Sequence, residues 1–115
     1  MFWNYLSYLF KSHNSFRLHS PLVFALYNKV WHDLPKKDYQ DELLSRLEVF
    51  MTEHQSVFKE GDYVMIFEGH HEDKHKMNVW NDLKNNEKVR LSVDFYRFGL
   101  LFVMDRKEKE DFMLR

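Results

Sequence analysis

The sequence predicts a small α/β domain with helices in its first half and a sheet in its second half. A continuous apolar run over 63–67 is typical of a strand buried on both faces. Apolar and polar residues alternate over 89–95, as they do in a half-buried strand. Another apolar run follows the short turn at 96–97, and this spacing predicts a hairpin. The three main strands predicted in this way are at about 62–68, 88–95 and 99–104.

The first section of the chain, residues 1–35, predicts two N-terminal helices that pack on the sheet. Residues 2–10 place aromatic and leucine side chains at helical spacing, which indicates a short helix with one aromatic face. Ser20 can cap the first amides of the second helix, and Pro21 fits its first turn, where no donor is needed. That helix, at about 22–31, is apolar on most sides, so we expect more than one neighbour to bury it.

Apolar stripes predict two further helices. The segment 38–56 carries one helix, whose inner face is rich in leucine. Trp80 and Leu83 mark a helix of about three turns that lies between the first two strands in sequence. After a solvated charged run, Phe112 and Leu114 could add a last short strand.

The amino-acid composition limits the size of the core and the kinds of partner and site that the chain can have. With 115 residues, of which 44% are hydrophobic and 17% aromatic, the chain can bury one modest core, and we expect 1–115 to form a single domain. The net charge of −1 provides no basic field, so we predict no nucleic-acid partner. The chain has no cysteine, which excludes disulfides and zinc–thiolate sites and is compatible with the cytoplasmic location that we predict. No segment approaches the ~20 apolar residues of a membrane span.

The loop 68–75 is the one dense cluster of metal-ligand side chains in the sequence. His71 and His75 are four residues apart, so a helix that begins early would place both on one face. With Glu68 they form our candidate metal site. Two plainer interpretations stay open, because histidine-rich loops are often only solvated and Asp73 can serve as a helix N-cap.

Two stretches of the sequence resemble a family of bacterial class I S-adenosylmethionine-dependent methyltransferases. Residues 19–24 read HSPLVF, which is similar to the family's HSPFVF motif near the start of the protein. The section 62–115 resembles the end of the family's sheet, which reads DDIHWS, then IDLF and GIVFF, then KEHFxLR. The corresponding segments here are EGHHED at 68–73, VRLSVDF at 89–95, GLLFV at 99–103 and KEDFMLR at 109–115.

The departures from this family bear on chemistry. Family members hold their methyl donor in a glycine-rich loop and with an acidic strand end, and this chain has neither. Glu68 and Gly69 stand where the family has paired aspartates, so one carboxylate is lost. His71 falls on a family histidine, but that match alone assigns it no catalytic role. We therefore predict that the protein is not an enzyme, with no catalytic residues and no bound cofactor.

The resemblance also implies a strand order. It places the third strand between the other two and antiparallel to both, which leaves the strand at 62–68 as an edge that something should cover. Our leading hypothesis is a non-catalytic, methyltransferase-derived interaction module, either a homodimer or a complex with a partner protein, that associates through the strand 63–67 or the helix 2–10. The alternative is a small metal- or ligand-binding protein that uses the loop 68–75. Two further hypotheses rank below the interaction module and the metal- or ligand-binding protein. One is a residual methyltransferase, and the other is a decayed gene product with no selected biochemical role.

Overall fold

The computed structural model describes residues 21–114 and gives them a mixed α/β fold. The predicted helix over 2–10 and the Ser20 cap lie outside the described residues. Within them, none of the helices has the length and apolar character that crossing a bilayer requires. The helices are α1 (Pro21–Leu26, continued by a π-helical turn, Tyr27–Trp31), α2 (Gln40–Glu53) and α3 (Lys74–Lys84). The strands are β1 (Tyr63–Glu68), β2 (Val89–Asp94), β3 (Phe98–Val103) and β4 (Glu110–Met113).

The four strands form one mixed sheet in the order β1-β3-β2-β4. The third strand lies between the first two and is antiparallel to both, as predicted. The prediction of three main strands requires one correction, because β4 pairs with β2 in parallel and completes a fourth strand. A charged segment precedes β4 in the sequence. Phe112 and Leu114 are 3% and 0% exposed, and their burial holds β4 against the sheet.

Apolar side chains fill both faces of the sheet. Alternate residues of a strand point to opposite faces. In β3, Leu100 and Phe102 join the larger core, which also takes in buried residues of α1 and α2. Leu101, between them, packs with Trp80 of α3 in a smaller core on the other face. The result is a sheet between two helical layers.

Basic side chains secure the ends of two helices. The π-helical turn after α1 leaves carbonyl groups free, and the Arg46 guanidinium donates to the carbonyl oxygens of Val30, His32 and Asp33. The ammonium group of Lys109 donates to three carbonyl oxygens at and beyond the end of α3, on Lys84, Asn86 and Val89. Lys109 therefore ties the approach to β4 to the end of α3.

The strand β1 is the edge of the sheet. It pairs with β3, and no other segment within 21–114 pairs with its outer side. Its apolar residues contact both cores, Val64 and Ile66 the larger one, Met65 and Phe67 the smaller. They are only half-buried, whereas the sequence predicted a strand buried on both faces, because an edge strand lacks the neighbour that would complete its cover.

Candidate functional site

Two strands deliver the residues of the site to one edge of the sheet. Both β1 and β2 are antiparallel to β3, so they run in the same direction and their carboxyl ends lie together. In open α/β sheets this is the edge where ligands bind. The chain leaves β1 through Gly69, whose φ of 80° is accessible to glycine, and continues into His70 and His71. Asp94 ends β2.

The carboxylate of Asp94 lies between two imidazole rings. The Nε2 atom of His70 is 2.9 Å from Oδ1 of Asp94, and the Nε2 atom of His71 is 2.7 Å from Oδ2. The backbone N–H of Tyr96 also donates to Oδ1, at 2.8 Å. His70 is 1% exposed and Asp94 4%, so this is a buried polar cluster. One ligand atom from each of the three side chains lies within 4.8 Å of the others.

The hydrogen bonds stabilise the ionised form of Asp94. Burial of Asp94 would by itself raise the pKa of its carboxyl group. The hydrogen bonds from the two imidazoles and from the Tyr96 amide outweigh burial and hold that pKa below its ordinary value, so Asp94 is a carboxylate at neutral pH. The Nδ1 atom of His70 is buried and has no hydrogen-bond partner among residues 21–114.

Aromatic rings enclose both histidines. The Trp80 ring stacks on His70 with 4.6 Å between centroids, and the Tyr96 ring stacks on His71 at 4.4 Å. Trp80 lies directly against the backbone of Gly99, where a Cβ atom would come within 2.2 Å of the indole ring. Tyr96 has a φ of 73°, an unfavourable conformation for a bulky residue. The hydrogen bond that its backbone N–H donates to Asp94 and its stacking on His71 hold it in this conformation.

A cavity of about 360 Å³ opens beside the cluster, between α3 and the strands β2 and β4. His71 and Asp94 line one end of it. Ser92 and Asp111 also line it, and the Ser92 hydroxyl donates to Oδ1 of Asp111 at 2.6 Å. Apolar walls come from α3 and β4, with Trp80 on the helix side. The buried cluster therefore borders this cavity through His71 and Asp94.

The structure separates the three residues of the candidate metal site predicted from sequence. His71 belongs to the cluster, but its neighbours there are His70 and Asp94. The helix α3 begins only at Lys74, so His71 precedes it and cannot share a helical face with His75. His75 is exposed in the first turn, where its backbone N–H donates to the side chain of Asp73, which is the N-cap.

Glu68 has another structural role. It accepts a hydrogen bond from the Tyr39 hydroxyl and a longer one, of 3.4 Å, from the Gln40 amide. Burial of the phenol and its hydrogen bond to Glu68 raise the pKa of Tyr39. The Arg97 guanidinium lies over the Tyr39 ring, with its central carbon 4.7 Å from the ring centroid. Glu68 thus anchors the segment before α2 to the end of β1.

Two imidazoles and one carboxylate form a donor set that suits zinc and related transition-metal ions. Magnesium and calcium, in contrast, prefer sites made of oxygen ligands.

No protein-family model, curated protein or solved structure matches this chain. The residues of the site themselves therefore carry the functional assignment.

Proposed function

We propose that the protein binds a divalent transition-metal ion, of the zinc class, through His70, His71 and Asp94. The observation that carries this proposal is the convergence of three ligand atoms within 4.8 Å in a buried position. A carboxylate placed there costs desolvation free energy unless it is paired. The two imidazoles provide that pairing, and they are also the nitrogen donors that zinc prefers.

The distances in the cluster are close to those of a coordination sphere. Ligand atoms at about 2.0–2.1 Å from a tetrahedral zinc ion are roughly 3.3 Å apart. The two nitrogen–oxygen distances here are 2.9 and 2.7 Å, as expected where protons occupy the positions between donors. A zinc ion bound at the two Nε2 atoms would require each neutral ring to carry its proton on Nδ1 instead, and it would move each ring outward by about half an ångström.

The orientation of the donors further supports the proposal. Asp94 is held by the Tyr96 amide and the rings are held by stacking, so the donors are already oriented before any ion binds.

Calorimetric titration of the purified chain with zinc tests this proposal. We expect one ion per chain, and an affinity at least ~10-fold weaker in the His71→Ala variant, because a ligand is lost. His75→Ala is the matched control, since it removes an exposed imidazole four residues away from His71. Equal zinc affinities in the wild type and in His71→Ala, or a loss caused by His75→Ala instead, would contradict the site.

The second candidate function is the self-association of a non-catalytic, methyltransferase-derived module, and the position of β1 favours it. The outer side of β1 has no strand partner within 21–114, and Tyr63 at its start is 52% exposed. Unpaired strand edges pair readily with other chains. A second copy could add its own β1 in antiparallel orientation about a two-fold axis, which makes the contact self-complementary. The lack of cysteine supports a cytoplasmic location for either function.

Light scattering after size-exclusion chromatography tests self-association. We expect a mass near twice 14.3 kDa for the wild type and a shift toward monomer in Tyr63→Lys, because edge lysines oppose strand pairing. Leu44→Lys, on the exposed side of α2, is the control and should keep the wild-type mass. A monomeric wild type would reject this candidate.

Titration with S-adenosylmethionine should give no binding heat, whereas micromolar binding would favour a retained methyltransferase.

A further inference from the structure

We propose that a metal ion held by His70, His71 and Asp94 keeps one exchangeable coordination position, which opens into the cavity and takes a small carboxylate with an apolar body. This inference rests on the proposed metal-binding function and names the class of ligand for that site. It follows from the placement of the donors, the charges around the cavity and the character of its walls.

The placement of the donors leaves one side of the site open. Of the three proposed ligands, His71 and Asp94 line the cavity, whereas the ring of His70 stacks against Trp80. Structural zinc sites are closed by four protein ligands, and sites that exchange ligands have three protein ligands and an open fourth position. Residues 21–114 supply three donors in this group, so the fourth position of a tetrahedral ion faces the cavity.

The charge balance at this position favours an anion. A divalent ion with one carboxylate and two neutral imidazoles carries a formal charge of +1. Lys84 lines the same cavity and adds a positive group. Asp111 acts against an anion, although one of its oxygens already accepts the Ser92 hydroxyl. With the ion in place, the positive groups outnumber the single opposing carboxylate.

The walls of the cavity fit an apolar ligand body. Trp80 and Met77 line it from α3, and Met113 lines it from β4. A volume of about 360 Å³ is at the small end of ligand pockets, which suits a single ring rather than a nucleotide. A small aromatic or aliphatic monocarboxylate could place its charged end on the ion and its body against these walls.

The visible spectrum of the cobalt-loaded protein, with protein in excess over cobalt, tests this inference with benzoate as the probe. Benzoate should change the cobalt absorption bands saturably, and the isosteric neutral ligand benzamide should bind at least ~10-fold more weakly. Lys84→Met should weaken benzoate binding about two- to fivefold by removing a positive group. Asp111→Asn should strengthen benzoate binding by a similar factor, because it removes the opposing charge and keeps an acceptor for Ser92.

The outcomes separate this inference from the proposed function. If cobalt does not bind, both are overturned. If cobalt binds and benzoate leaves its spectrum unchanged, the site is closed and only the inference fails. If benzamide binds as tightly as benzoate, the cavity selects shape and the assignment of an anionic ligand is wrong.

Discussion

Replacement of Asp94 by alanine is expected to abolish zinc binding and to lower the free energy of unfolding by several kcal/mol. The carboxylate accepts hydrogen bonds from His70, His71 and the Tyr96 amide at the carboxyl edge of the sheet. Its removal leaves the two imidazoles, with side chains 0% and 10% exposed, without their acceptor. Each stranded buried group costs about 1–3 kcal/mol. Urea denaturation of the metal-free protein measures the loss of stability, and calorimetry measures the loss of zinc binding.

The isosteric variant Asp94→Asn separates the two roles of the carboxylate. Its side-chain oxygen still accepts one hydrogen bond, and its amide can donate to the second imidazole in the other tautomer. We therefore expect this variant to keep much of the stability while its zinc affinity falls at least ~10-fold. If Asp94→Ala unfolded at the same urea concentration as the wild type, the cluster would not be the buried network described above.

Replacement of Gly99 by alanine is expected to destabilise the fold by about 1–3 kcal/mol. Because Gly99 lies in β3 against Trp80, the replacement should also disturb the proposed metal site. A Cβ atom at this position would lie 2.2 and 2.3 Å from two carbons of the Trp80 ring. Real Cβ contacts are never so short, so the indole ring must move. Because Trp80 stacks on His70, its displacement also moves a proposed ligand. Urea denaturation and zinc titration of the same variant measure the two effects.

A double-mutant cycle tests the cause of this destabilisation. In the background Trp80→Leu, the smaller side chain leaves room for the new methyl group. Adding Gly99→Ala should then cost at least ~1 kcal/mol less than it does in the wild type. An equal cost in both backgrounds would show that the loss comes from β3 itself rather than from contact with the indole ring.

The fold was accessible from sequence because apolar patterns report burial directly. The alternation over 89–95 predicted β2, and the apolar run after the turn predicted β3 beside it. The strand β4 was the hardest element to predict, since four residues after a charged run carry little periodicity and depend on the tertiary contacts of Phe112. The edge position of β1 was also predicted, although its half-buried state was not.

The site was harder to predict, because its residues meet in space and not in sequence. The sequence grouped His71 with Glu68 and His75, which are its neighbours along the chain. The folded protein groups it with Asp94, on a different strand. Asp94 and Ser92 belong to the polar side of an alternating strand, which predicts exposure, yet they are 4% and 1% exposed. The available signal was that two parallel strands end at one edge, one in a histidine pair and one in an aspartate.

Zinc K-edge X-ray absorption of the protein loaded with one equivalent of zinc tests the central claim most directly. The proposed site predicts a four-coordinate ion with two imidazole ligands at about 2.0–2.1 Å and light-atom donors in the remaining positions. The His71→Ala variant, treated in the same way, should lose one imidazole from the spectrum or fail to retain the ion. An ion coordinated mainly by water, or a spectrum that His71→Ala leaves unchanged, would contradict the site.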